Sequence, residues 1–360
     1  MTTATAVADR RPIPQLNHSL TAARLPRWAP AGVAGAAIAL GCAIGVGAGL
    51  KSHLQWGLIA ALLFVVISFG LSAKVEGTRQ AKDRLATSMI WVAFILAVIP
   101  LASLLFYTVQ QGIGVVNGDF LTHSMRGVVA ASGPGGGIYH ALVGTLQQVG
   151  LATAMAAPVG LFTAVYLVEY GRGTLAKVVT FFVDVMTGIP SIVAGLFVLS
   201  VWNIALGFQY SGFSGSLALA ILMMPVVVRS TEEMLKLVPN ELREASYALG
   251  VPRWKTILWI VLPTAIGGIT TGVMLAIARI AGETAPVMML VGVWDSINAN
   301  PFVGSQESLP VFIWQQYSQV NDQYGYARAW GAALVLIALV MGLNLIARGI
   351  ARWRSPKSGH

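Results

Sequence analysis

Charge is what this sequence has least of. Only 10% of its 360 residues are Asp, Glu, Lys or Arg, where an ordinary soluble domain carries about 25%. A chain so poor in charge cannot cover a soluble surface. Its hydrophobic residues, 56% of the total, fall in runs of about 20, the length that crosses ~30 Å of hydrocarbon, and a sizeable soluble domain is thereby excluded. Cysteine is nearly absent: the single Cys42 rules out an internal disulfide and a CxxC metal or redox site, and its apolar setting reads as packing. There is no GxxxxGKS/T phosphate loop, no GxSxG and no HExxH, and His18, His53, His123, His140 and His360 are not clustered. No metal and no catalytic nucleophile is indicated.

What is present is a set of spans. Eight segments are long and apolar enough: Ala31–Leu50, Leu54–Ala73, Leu85–Val109, Ile138–Val168, Val178–Leu206, Phe208–Val228, Thr264–Val293 and Ala329–Ala347. Six of the eight contain no charged residue. The runs are continuous rather than alternating, and a backbone in lipid must satisfy its own hydrogen bonds, so they read as helices and not barrel strands. The first reads as a span rather than a signal peptide, because it is long and a second follows at once. The expected fold is an all-α integral membrane protein.

Orientation follows from Lys and Arg. With the N-terminus inside, residues 1–30, 74–84, 169–177, 229–258 and 348–360 hold 4, 4, 2, 5 and 4 of them, 19 of the 23 in the chain. This asymmetry predicts a multi-pass protein with both termini cytoplasmic. It also accounts for the net charge of +9 by contact with lipid rather than nucleic acid.

The domains expected are a cytoplasmic tail (1–30), a hairpin of two spans (31–73), a basic loop, a span and an outer Gly-rich loop (74–137), a core (138–347), and a basic cytoplasmic tail (348–360). Gly41, Gly45 and Gly49 in the hairpin have the spacing of close helix packing, and the hairpin reads as a packing or partner-binding addition. The outer loop Gln110–Gly137, with GPGGG at Gly133–Gly137, reads as a flexible connector.

One cytoplasmic segment stands out, ELREASYALGVPRWKTILWIVLP from Glu241 to Pro263, within a loop of 239–263. Asn240 reads as an N-cap, Glu241 and Glu244 suit the first turn, and Gly250 ends the helix. Leu242, Ala245 and Leu249 share one face, Glu241, Glu244 and Ala248 an adjacent one, with Arg243 and Tyr247 opposite. Pro252 opens a second helix that leads back to the membrane. The small residues Ala245, Ser246 and Ala248 suit a helix that seats in a groove.

Arg279 and Glu283 fall inside a span, four residues apart, and are expected on one helical face. Charges at that depth are costly, so they mark either a structural ion pair or a pathway, and an anion pathway needs a cation. Asp184, six residues before Pro190, reads as either a gate contact or a packed helix-end acid. Arg229 reads as a snorkelling residue. The aromatic-rich stretch Trp294–Arg328 fits an interfacial belt, or a platform for an outer protein.

Glu244-Ala245-Ser246, Gly250 and Leu262-Pro263 resemble the EAA loop of ABC-importer permeases. Together with GIPSIVAGLF at Gly188–Phe197 and GITTGVMLAIARIAGETAPVM around Arg279, the match over Ile138–Arg348 is similar to the A-type permease subunits of phosphate-specific ABC importers; Ala285-Pro286 tips the choice away from the C-type subunit.

The resemblance implies a type I permease bundle of about six core helices that translocates inorganic phosphate by alternating access. It implies a heterodimer with a C-type subunit, two copies of an ATPase subunit holding ATP and Mg2+, and an extracytoplasmic phosphate-binding protein, with no cofactor in this chain itself. It carries the family's membrane Arg and Glu over to Arg279 and Glu283, and ATPase coupling to Glu241, Glu244, Ala245, Ser246 and Gly250. One arginine does not identify its anion, so another oxyanion such as molybdate stays open, as does a secondary transporter without an ATPase. An intramembrane enzyme lacks its nucleophile.

Overall fold

The computed structural model describes residues 25–26, 28–128, 135–319 and 324–354, and among them the regular elements are all helices. Most of the 1–30 tail, part of the Gly133–Gly137 connector and the end of the 348–360 tail lie outside the described residues. The chain divides into two units, 1–104 and 105–360.

In the first unit α1 (Ala29–Gly47) and α2 (His53–Val75) form the hairpin and α3 (Thr78–Gly112) begins. Gly41 and Gly45 do what their spacing predicts: Ala60 and Trp56 of α2 occupy the room a side chain would need there. Gly49 does not; it lies in the turn with open space beside it. Where α2 gives way to α3, Glu76 accepts from the Leu25 amide at 2.7 Å, the Ser72 hydroxyl at 2.8 Å and Arg84 at 2.7 Å. Burial opposes the charge on Glu76, but these donors outweigh it and hold its carboxyl below the ordinary value.

In the second unit, α4 (Gly118–Thr122) is capped by the Asn117 side chain, which accepts from the Phe120 amide at 2.8 Å. This part of the predicted connector is therefore packed, since Phe120 is buried with Ile138, Leu309, Phe312 and Ala332. α5 (Tyr139–Val165) runs on through a π-helical turn to Tyr170. After α6 (Thr174–Thr187), α7 (Ser191–Val198) widens into a π-helical stretch to Ala205. Then come α8 (Gly212–Lys236), α9 (Asn240–Ala248) and α10 (Arg253–Thr256), which passes through a π turn into α11 (Leu262–Ala281). α12 (Ala285–Val291), α13 (Leu309–Ser318) and α14 (Gly325–Arg354) complete the unit. α8 is central, packed along α5 and α11. Small and large residues interleave there: Ala152 and Ala156 of α5, Leu219, Met223 and Val227 of α8, and Ala276 and Ile280 of α11 are all buried in one cluster.

Among the described residues seven helices are long and apolar enough to cross a membrane, or eight if a bent pair counts as one span. Two of the spans read from sequence are not straight. Val178–Leu206 is broken between α6 and α7 by a bend of 108°, because Pro190 drives the residue before it out of the helical region and has no N–H to continue the ladder. The pair still crosses. Ser211 and Phe213 donate their amides to Leu290 and Pro301, while Gln147 and Gln148 reach Ala299 and Gln306, so α5 and α8 begin at the same end. Since α5 leaves at the other end, the chain between must return.

Thr264–Val293 is also not one straight span. The helix starts earlier, at Arg253, and stops at Ala281; Gly282–Thr284 breaks it and Pro286 opens the short α12.

Candidate functional site

At one end of the bundle the loop between α8 and α11 presents α9. Gly250 ends this helix as its sequence predicts, with φ +74°, a conformation that glycine adopts without a Cβ penalty. The start differs by one position: Pro239 is the cap and Asn240 the first helical residue. Glu241, Leu242, Glu244, Ala245, Tyr247, Ala248 and Leu249 are exposed, and only Arg243 and Ser246 turn inward. The face holding Leu242, Ala245 and Leu249 is thus displayed. Ser246 is not on it. Its hydroxyl lies 2.8 Å from that of Thr256 on α10, both side chains buried, so Ser246 packs on its own chain. Arg243, predicted on the opposite face, is anchored to Glu169 of the turn that ends α5.

Along α11, Thr264, Thr271, Leu275 and Arg279 form one exposed stripe; at 100° per residue they share a face. Glu283 does not share it, because α11 ends at Ala281. The expectation that Arg279 and Glu283 stand on one helical face is therefore wrong: the break at Gly282, with Pro286 three positions after Glu283, takes Glu283 off the helix. Among the described residues no ion pair engages Arg279. Arg279 is exposed.

Asp184, on α6 before the break at Pro190, is held by the guanidinium of Arg229 on α8. Arg229 also donates to Glu232 at 2.7 Å, and Lys236 to the same carboxylate at 2.7 Å. Arg229 is therefore not a snorkelling residue but the hub of a charged cluster tying α6 to α8. Nothing in the linear sequence pairs positions 184 and 229.

The opposite end holds a polar cluster that sequence reasoning missed. His140 Nε2 lies 3.1 Å from Glu307 Oε2, with both residues buried. The Gln148 amide donates to the Gln306 carbonyl at 2.9 Å, and the Gln306 amide donates to Gln147 Oε1 at 2.5 Å and to the Asn298 carbonyl at 2.8 Å. Leu309 donates its amide to the Thr145 hydroxyl at 2.7 Å. These bonds sew the segment 298–309 onto α5, and they need Gly144, since a side chain there would collide with the Glu307 backbone. Burial pushes the Glu307 carboxyl above its usual value; His140 pulls it down and Asp295 adds to the rise. Beside the cluster Trp202 stacks on Phe208 at 4.2 Å and Phe213 meets Phe302 at 5.1 Å, so the aromatics of 294–328 are partly structural.

Comparison with known proteins gives this geometry a context. Residues 156–359 match the family model described as binding-protein-dependent transport system inner membrane component. A relative from Mycobacterium tuberculosis (strain CDC 1551 / Oshkosh), Phosphate transport system permease protein PstA 1, is 53% identical over 270 residues, covering 75% of this chain and 88% of the relative. A second, Phosphate transport system permease protein PstA from Yersinia pestis, is 36% identical over 281 residues, 77% of this chain and 92% of the relative. The fold also matches a chain of a bacterial alginate ABC transporter solved with an alginate pentasaccharide-bound periplasmic protein, at a TM-score of 0.52 and 16% identity over 78% of this chain and 97% of that one. With α9 displayed on its loop between α8 and α11, and with these matches over most of its length, the chain belongs to the inner membrane components of binding-protein-dependent transport systems, among the phosphate transport system permeases.

Proposed function

We propose that this chain is a permease subunit of an ATP-driven importer that moves inorganic phosphate inward across the cytoplasmic membrane by alternating access. The observation that carries the reading is the displayed face of α9, Glu241, Glu244, Ala245 and Leu249, in a chain 53% identical to a phosphate transport system permease. The end bearing α9 faces the cytoplasm, as do both termini, because Lys and Arg concentrate there. No nucleotide-binding motif occurs in the sequence, so ATP and Mg2+ belong to two copies of a separate ATPase subunit that seat against α9.

A second permease of the C type covers the exposed stripe of α11, and Arg279 then lines the path between the two subunits. Its planar guanidinium suits an oxyanion, and burial in the assembled complex strengthens that attraction. Glu283, in the break after α11, lies close along the chain and repels an anion that lingers. The Arg229–Asp184 tie at the broken span, with Pro190 as the hinge point, serves as a gate contact that must loosen as α6 and α7 move. An extracytoplasmic phosphate-binding protein docks at the opposite end, where 298–309 is pinned to α5.

Purification of the chain in mild detergent tests this directly. The expected result is co-purification of an ATPase, a second permease and a phosphate-binding protein, and ATP-dependent phosphate uptake on reconstitution. Phosphate transport by vesicles containing this chain alone would overturn the coupling to an ATPase.

A further inference from the structure

Arg243 does not behave as a charged residue on a displayed helix. Its guanidinium turns back into the protein, 12% exposed, against a Glu169 carboxylate that is 4% exposed. Nε and Nη2 donate to Glu169 Oε1 at 3.1 and 2.8 Å. The remaining donors fan out to the Leu235 carbonyl at 2.9 Å, the Val238 carbonyl at 2.6 Å and Asn240 Oδ1 at 3.3 Å. One side chain thereby joins the end of α5, the last turn of α8 and the start of α9. The Leu235 carbonyl belongs to the final turn of α8, where carbonyls lack helical partners and a cation is favoured. A second tie stands beside it: Arg253, opening α10, donates to the Glu169 carbonyl and lies 4.9 Å over the Tyr170 ring.

A buried ion pair adds little stability over an apolar replacement, so stability alone does not account for this construction. What the arrangement supplies is direction. α9 is covalently linked to α8 and, through α10, to α11, and Arg243 of α9 and Arg253 of α10 tie this loop directly to the end of α5 at Glu169. α5 in turn runs from Glu169 to the opposite end, where Gln147, Gln148 and His140 hold the 298–309 segment. At 1.5 Å per residue the helix carries a displacement over roughly 40 Å.

We propose that the Glu169–Arg243 pair, with Arg253 beside it, is the joint through which movement of α9 is passed to α5, and through α5 to the 298–309 segment at the far end. Glu169, Arg243 and Arg253 are positioning residues in this scheme. They touch neither substrate nor nucleotide, and the inference rests on α9 being the ATPase contact. Arg243 supplies a planar fork whose three nitrogens reach Glu169, Leu235 and Val238 from separate positions, whereas Lys gathers its donors on one nitrogen and cannot spread them this way.

The test uses the complete complex in proteoliposomes, with R243Q, R243K, E169Q and the double variant R243Q/E169Q. The quantity read is ATP hydrolysed per phosphate transported. Each single Gln variant is expected to raise it about tenfold, as loss of a charge-assisted hydrogen bond implies. R243K is expected to recover only part of the loss, and the double variant to be no worse than R243Q. A second measurement needs no phosphate: hydrogen exchange in 298–309 is expected to change when nucleotide is added to the wild-type complex and to stay unchanged in R243Q.

An unaltered ratio in both single variants, an additive double variant, or a nucleotide response of 298–309 that survives R243Q would overturn the joint. So would loss of the ATPase from purified R243Q, since that makes the pair part of the docking surface only. A wild-type complex that hydrolyses ATP and shows the nucleotide response, yet moves no phosphate, would instead sink the substrate reading and leave the joint standing.

Discussion

The hydroxyls of Ser246 and Thr256 meet at 2.8 Å inside the loop that carries α9. That contact fixes the rotation of the helix: Ser246 points at its own chain while Ala245, next to it, is exposed. Ala245→Arg is therefore expected to insert and fold normally but to lose ATPase co-purification at least about tenfold, because a bulky charge would be buried unpaired in the interface. Ser246→Leu is expected to act on the chain itself, overpacking a buried position at a cost of about 1–3 kcal/mol. Pull-down and thermal unfolding in detergent separate the two, and normal assembly of Ala245→Arg would mean that α9 docks through some other face.

Much of this was legible in the linear sequence. Runs of apolar residues gave the spans because length and hydropathy act locally, and Gly250 announced the end of α9 because only the backbone at that position decides it. The breaks at Pro190 and Gly282–Thr284 were visible as residues, yet periodicity extended the spans across them. Partners distant along the chain were hidden. Glu169 and Arg243, Asp184 and Arg229, and His140 and Glu307 are joined by packing between helices, and no local pattern pairs positions 74, 45 or 167 residues apart. The same blindness grouped Ser246 with the exposed Ala245 and Ala248, since small size fits both an open face and a tight interior.

Removal of residues 1–73 takes away α1 and all but the last two residues of α2 and leaves the family match at 156–359 untouched. An even number of spans is lost, so the orientation of the rest is expected to persist. Phosphate uptake by the truncated chain is expected at the wild-type level in cells lacking other phosphate importers. A truncation that inserts and assembles but does not transport would make the hairpin part of the mechanism.

Glu307 gives a pH dependence with a definite sign. Its carboxyl is held above the ordinary value by burial, with His140 opposing and Asp295 adding. The fold therefore favours the neutral acid, and the stability this contributes is full below the ordinary glutamate pKa and is lost as pH rises through the raised value. Glu307→Gln keeps the shape without the charge. Its melting temperature is expected to rise relative to wild type as pH increases from the ordinary glutamate range toward neutrality. Parallel melting curves for the two proteins across that window would show that Glu307 ionises in the fold at no cost.

Arg279 and Glu283 are expected to behave as separate residues. A structural ion pair would make each substitution expose the other charge, and an exchange of the two would restore function. The structure has no such pair among its described residues, and Glu283 stands beyond the end of α11. Arg279→Gln is accordingly expected to lower phosphate uptake about 10- to 100-fold with normal assembly, the equivalent of losing one charge-assisted contact of ~1.5–3 kcal/mol. Lysine at 279 should restore part of it, keeping the charge without the planar fork. Glu283→Gln leaves the Arg279 stripe intact and should slow release more than entry. The exchange Arg279→Glu with Glu283→Arg moves the cation off the exposed face of α11 and into the break, so uptake should stay blocked. Radiolabelled phosphate uptake in cells without other importers measures all four, and wild-type uptake in the exchanged protein would remove Arg279 from the path.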